Sequence, residues 1–257
     1  GWKMVRTKYF DSPHPRRFAH RGLSQHQEGI DENSIEAIRA AIEAGATHVE
    51  SDTHATKDGT AVLFHDDDLQ RVAGINKTIS EIRIAELRSL RLLNGSVIPT
   101  LSEVFQLFPD LYLNLDIKSE QAISPTVKAI EDHGAHDRVL VSSFSESRRK
   151  KALSMLSKPV ATSGSMRTVA LAWASHTFLF GAGFRRITKN IDAFQIPTSQ
   201  GVIRFATSSF IARAKKANNE IHFWTINDPD QMTELLALGA DGIVTDRVDL
   251  LTNLKQS

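Results

Sequence analysis

Two rhythms of apolar and polar residues take turns along this chain. Short runs that are either wholly apolar or alternate with period two occur at residues 17–20, 48–52, 111–118, 138–143, 159–163, 192–197, 221–226 and 242–245. Each is strand-sized. Between most of them lie stretches with helical spacing of apolar positions, at 34–44, 125–132, 210–217 and 230–238. Strands alternating with helices predict a parallel sheet with crossover helices, and eight such strands predict closure into a TIM-type (β/α)8 barrel.

Local punctuation agrees with this layout. Thr100 and Glu103 have capping-box spacing, and Gly45, Gly134 and Gly239 stand where helices should stop. The second β/α unit carries an insertion over residues 66–99, in which Ile82, Leu87 and Leu90 predict one short helix at 79–90. The expectation is one domain over residues 1–257 with its core at about 17–250.

Composition narrows the class without naming a chemistry. The 257 residues suit one α/β barrel, and 41% apolar with 24% charged residues is a globular balance. Without cysteine there is no disulfide, no thiolate nucleophile and no cysteine metal site. A net charge of +1 gives no overall attraction to nucleic acid or to an anionic membrane, although a local anion site stays open. No apolar stretch is long enough for an integral membrane segment. Residues 1–17 lack the apolar run of a signal peptide, so a cytoplasmic location is expected.

Candidate chemistry lies at the predicted strand ends. In 111–118, Leu113, Leu115 and Ile117 alternate with Asn114, Asp116 and Lys118, so a barrel with its apolar face under the helices puts an amide, a carboxylate and an ammonium inside. A half-exposed antiparallel strand would show the same alternation. Glu50 and Asp52, two apart on one strand face, repel unless a cation lies between them. Oxygen ligands from Glu50, Asp52 and Asp116 suit one hard divalent ion, Mg2+ or Ca2+; pairing of each carboxylate with Arg or Lys is the alternative. His20 ends the first strand and precedes Arg21 and Gly22, while His65 closes an apolar run and precedes Asp66, a carboxylate able to set its tautomer. His14, His26, His133, His136 and His176 read as structural or surface groups, and His48, His54 and His222 stay open. Two imidazoles, three carboxylates and the cations Arg21 and Lys118 are what phosphodiester cleavage needs.

These residues resemble the glycerophosphodiester phosphodiesterase family from Phe18 to about Asp249. The segments carrying the likeness are Ala19-His-Arg-Gly22, Glu32-Asn-Ser34, Glu50-Ser-Asp52, His65-Asp66 with Leu69 and Arg71, Ile98-Pro-Thr-Leu101, Asp116-Ile-Lys118, Trp224-Thr-Ile-Asn227 and the run from Gly239 to Asp246. The resemblance implies a TIM barrel and hydrolysis of small-molecule glycerophosphodiesters to an alcohol and sn-glycerol 3-phosphate. It implies catalytic roles for His20 and His65, metal ligation by Glu50 and Asp52, and phosphate contacts from Arg21 and Lys118. The family usually has Glu at the third ligand position, where this chain has Asp116. Related phospholipases D also use Asp there, which keeps open a lyase forming a cyclic phosphate; a catalytically weak headgroup-binding barrel is the other alternative. Glu32 and Asn33 are expected to support the site, with Asn33 or Ser34 as a helix cap. Trp224 is either a substrate-facing wall or core, residues 239–246 read as a helix stop and last strand, and Phe144, Phe184 and Gln195 are candidate lining residues.

Overall fold

The computed structural model describes residues 7–25 and 27–254; His26 and the first six residues of the segment read as lacking a leader lie outside it. In chain order the strands are β1 (Arg16–His20), β2 (His48–Ala55), β3 (Ala61–Leu63), β4 (Tyr112–Ile117), β5 (Val139–Ser142), β6 (Ala161–Thr162), β7 (Ala193–Ile196), β8 (Ser199–Gln200), β9 (Ile203–Arg204), β10 (Glu220–Phe223) and β11 (Gly242–Thr245). The eight predicted strands are all present, and they pair in parallel in the order β6-β5-β4-β2-β1-β11-β10-β7. A parallel bridge between Ser163 and Ala193 joins the two ends, so the sheet closes into a (β/α)8 barrel.

Around it run α1 (Ile35–Glu43), α2 (Gln70–Ala73), α3 (Ile84–Ser89), α4 (Leu101–Leu107), α5 (Glu120–Asp132), α6 (Glu146–Met155), α7 (Met166–Phe178), α8 (Phe184–Ile187), α9 (Ser208–Lys216), α10 (Pro229–Ala237) and α11 (Val248–Thr252). The capping box of Thr100 and Glu103 is formed, and Gly45, Gly134 and Gly239 take positive φ at helix ends. α5 starts earlier than its apolar spacing predicts, because Ser119 caps it from Ala122 N and Pro125 is tolerated in its first turns.

Two expectations need correction. The insertion does not hold one helix at 79–90: a 3-10 turn at Ile79–Glu81 precedes α3, because Ile82 takes extended backbone between them. Ile79, Ile82, Leu87 and Ile98 instead pack with Val62 and Phe64 into a separate small core. The run at Ala61–Leu63, not counted among the strands, pairs antiparallel on the far end of β2 and carries His65 back toward the barrel.

Alternate strand residues divide the protein as the 111–118 pattern predicts. Leu113, Leu115 and Ile117 are fully buried in a core with Ile38, Val104, Ile123 and Ile130 from the surrounding helices. Facing inward, Phe18, His48, Tyr112 and His222 stack with ring centroids 4.6 to 5.2 Å apart. Above them Asn114 and Gln195 join amide to amide across the barrel, at 2.7 and 3.2 Å. Close-packed rings and paired amides make this a filled interior, not a channel. Among the described residues no helix is long and apolar enough to cross a membrane.

Candidate active site

Strand register assembles the site. His20 pairs with Glu50 across β1 and β2, and Asp52 pairs with Asp116 across β2 and β4, so side chains two residues apart on β2 meet both neighbours at the C-terminal ends of the strands. The turn after β1 is made possible by Gly22, whose φ is +80° and where a Cβ would lie 2.7 Å from Ala37. Arg21 just before it also takes positive φ, 58°, its N–H donating to Glu50 O at 2.7 Å. A left-handed arginine is strained backbone held by that turn.

Each candidate histidine is oriented through Nδ1. His20 donates to Asp246 at 2.7 Å, and its Nε2 lies 3.7 Å from Glu50 Oε2. Burial works against its charge, but Asp246 and Glu50 outweigh burial and raise its pKa above the usual imidazole value. His65 donates to Asp66 at 2.8 Å, as the adjacent carboxylate suggested. Asp66 accepts two bonds from Arg71, at 2.8 and 3.0 Å, and these hold its carboxyl down at about 2. Arg71 forks to Glu32 as well, at 2.7 and 3.0 Å, and Arg21 donates to the same Glu32 at 3.1 Å. A continuous chain of charge-assisted bonds therefore runs from His65 to Arg21.

The three carboxylates are short of partners. Glu50 Oε2, Asp52 Oδ2 and Asp116 Oδ1 are buried without a hydrogen bond. Burial, then repulsion from Asp52, pushes the Glu50 carboxyl well up; burial pushes Asp116 to about 6 against the pull of Lys118. Lys118 Nζ sits 3.4 Å from Asp52 and 3.1 Å from Asp116, and these anions keep its pKa high despite burial. The pairing alternative is thus partly realised: one lysine pairs with two of the carboxylates and leaves an oxygen of each without a partner. All three are hard oxygen donors, the type a Mg2+ or Ca2+ takes. Yet no group of three acidic or histidine side chains among the described residues is gathered closely enough to hold an ion as it stands.

The remaining candidates sort by geometry. Trp224 is 37% exposed at the end of β10, so it is not core. Phe144 is exposed and its ring lies 5.5 Å from Lys118 Nζ, whereas Phe184 is buried against Phe194 and Phe210 under the helices and lines nothing. Gln195 belongs to the barrel floor. Ser34, rather than Asn33, caps α1; Asn33 accepts from Ser51 behind β2. His48 and His222 bond to Ser12 and Glu220 in the interior, and His54 Nε2 donates to the His65 carbonyl at 3.1 Å, so all three have structural partners. The run ending at Asp246 is more than a helix stop and strand, because Asp246 orients His20 and is itself held by Asn227 Nδ2 at 3.0 Å. Asp246, Asn227 and Arg71 were present in the quoted motifs, but each acts across more than 18 residues or through an insertion, which spacing alone does not reveal.

A family model described as the glycerophosphoryl diester phosphodiesterase family matches residues 20–250. The chain is 37% identical over 237 residues to "Probable glycerophosphodiester phosphodiesterase 2" of Mycobacterium tuberculosis, covering 92% of this chain and 89% of that protein. It is 26% identical to the crystal structure of a glycerophosphodiester phosphodiesterase from Thermotoga maritima, with a TM-score of 0.72 over 93% of this chain and 97% of that one. An Oleispira antarctica phosphodiesterase, solved in complex with the product sn-glycerol-3-phosphate, shares the fold at a TM-score of 0.78 and 24% identity over 96% and 98% of the two chains. The chain belongs to the glycerophosphoryl diester phosphodiesterase family and is an enzyme of glycerophosphodiester hydrolysis.

Proposed function

We propose that this enzyme cleaves glycerophosphodiesters to an alcohol and sn-glycerol 3-phosphate with His20 and His65 as the acid/base pair and one divalent cation, Mg2+ or Ca2+, held by Glu50, Asp52 and Asp116. The observation that carries this reading is the set of three buried carboxylate oxygens without partners beside two imidazoles fixed at Nδ1. Paired burial of like charges is costly unless a cation offsets it. A bound divalent ion would supply Lewis-acid neutralisation of the phosphoryl oxygens. Asp116, one methylene shorter than the Glu usual at this position, would reach such an ion less far than that Glu.

The chain's own groups do the rest. Arg21 and Lys118 bind phosphoryl oxygens, Arg21 being preset by its bond to Glu32. With Nδ1–H given to Asp246, neutral His20 keeps Nε2 as the proton acceptor. His65, oriented by Asp66, donates its proton to the leaving alkoxide. Trp224 forms an apolar wall at the mouth. That the Oleispira phosphodiesterase binds sn-glycerol-3-phosphate supports the product assigned here.

Phosphorus NMR of the products, with and without chelator, tests the scheme. The expected result is sn-glycerol 3-phosphate, formed only with added metal; a cyclic phosphate, or full turnover in metal-free buffer, overturns it. In calorimetric titration Asp116→Ala should weaken the metal and Asp116→Glu should keep or tighten it. Unchanged affinity in Asp116→Ala removes this residue from the ligand set.

A further inference from the structure

The balanced total charge conceals a strong segregation. Of 31 Lys and Arg and 30 Asp and Glu, thirteen cations but one acid, Asp192, fall within residues 147–219, giving this stretch +12 and leaving −11 on the rest. This stretch forms α6 to α9 and the strands between them. Among the described residues it also carries a corner of three consecutive exposed large apolar side chains. Phe178, Leu179 and Phe180 are 68%, 58% and 91% exposed at the end of α7.

That corner is built, not frayed. Ser175 accepts from Leu179 N and Gly181 N through its carbonyl, and its hydroxyl donates to Ala182 O at 2.7 Å. Phe178 packs edge-on against Trp173 with ring centroids 5.6 Å apart. Phe180 holds a φ of +51°, a strained conformation for an aromatic residue. Leu171 and Phe178 continue the apolar surface up α7 at seven-residue spacing, with Arg167 four residues before Leu171. Just beyond the corner stand exposed Arg185, Arg186 and Lys189, which with Arg167 form no ion pair among the described residues. Arg213 lies beneath Gly181, bonded through Nε to His176 at 2.8 Å.

We propose that the corner between α7 and α8 docks the enzyme on an anionic lipid bilayer, with Phe178, Leu179 and Phe180 entering the interface and Arg167, Arg185, Arg186 and Lys189 meeting the headgroup charge. Apolar tips rimmed by unpaired cations fit such a surface on both counts. A second copy of the chain fits less well, because a two-fold contact would set this cationic patch against itself. A nucleic acid would use the cations and leave three large apolar side chains in water. The proposal does not depend on the assignment of catalytic roles.

Sedimentation with vesicles of phosphatidylcholine, and of equal phosphatidylcholine and phosphatidylglycerol, tests it. Binding is expected only to the anionic vesicles, weakening as salt is raised. Phe180→Asp, and separately the pair Arg185→Glu and Arg186→Glu, should each reduce partitioning by about tenfold or more. Their melting temperature and their rate on a water-soluble glycerophosphodiester should match the parent. Failure to bind anionic vesicles overturns the proposal, as does equal binding to neutral ones or by all variants. So does a dimer, seen by analytical ultracentrifugation, that Phe180→Asp dissolves, or duplex DNA binding without vesicle binding.

Discussion

Replacing His65 by Ala separates the roles of the two histidines, because general-acid help depends on the leaving group. A positioned acid or base contributes about 100- to 10,000-fold, or roughly 3–5 kcal/mol of barrier. An alkyl alkoxide leaves poorly unless protonated, so His65→Ala should lose that full amount on a natural glycerophosphodiester. A p-nitrophenolate is already stable as an anion, so on that diester the loss should nearly vanish. His20→Ala should be slow on both, since the nucleophile needs its base whatever departs. The structure grades a third variant: Asp66 touches His65 through one bond of 2.8 Å, and removing a charged hydrogen-bond partner costs about 1.5–3 kcal/mol. Asp66→Ala should therefore lie between parent and His65→Ala on the alkyl substrate, slower than parent by about 10- to 100-fold. Steady-state kcat for both substrates, on metal-loaded variants with unchanged melting temperature, is the assay. Equal losses for His65→Ala on both substrates would refute the donor assignment.

Asp246→Asn should lower kcat by about 10- to 100-fold through loss of the charge facing His20 Nδ1, while metal affinity and melting temperature stay near the parent values. A matching fall in metal affinity would place Asp246 with the ligands instead. At the opposite end of the barrel, Glu220 is held below the usual carboxylate range, burial opposing and His222 and Arg16 prevailing. A depressed folded pKa gives stability that is present above the unfolded value and lost as pH falls below it. Glu220→Gln should thus be less stable at neutral pH, by about 3 kcal/mol, and show a shallower decline toward pH 3. Parallel declines in the two proteins would show that another group carries the acid sensitivity.

The barrel was readable because its signals are local. Strand and helix periods repeat within ten or so residues, and the alternation of Leu113, Leu115 and Ile117 with Asn114, Asp116 and Lys118 stated which face meets the helices. The same alternation placed the carboxylates inward. What escaped was set by tertiary contact. Nothing local distinguishes Asp246 from any residue closing a strand, yet the closure of β11 on β1 brings it to His20. Ile79 to Leu90 has partial helical spacing, but its apolar residues serve a small core under the insertion, and that core divides the segment. Phe184 looked like a lining residue and instead fills the space between α7, α9 and the sheet.

The position of Arg71 explains why an insertion interrupts the second β/α unit so close to the site. β3 runs antiparallel to β2, so His65 arrives from outside the eight-stranded barrel and has no neighbouring parallel strand to hold its side chain. In place of a strand neighbour, α2 contributes Arg71, which grips Asp66 on one side and Glu32 on the other. Glu32 in turn holds Arg21, on the strained turn after β1. One guanidinium thus couples the residue set by the insertion to the turn set by the barrel. Long charged side chains give up conformational freedom when held in one geometry, and a mainly exposed pair seldom repays that cost. Four linked groups with a fork at each end of Arg71 offset it better, because each bond restrains side chains that the others have already ordered. His65, next to the inserted segment, and Arg21 on the barrel are therefore held at a fixed separation, which is what the proposed reaction at one phosphorus atom requires.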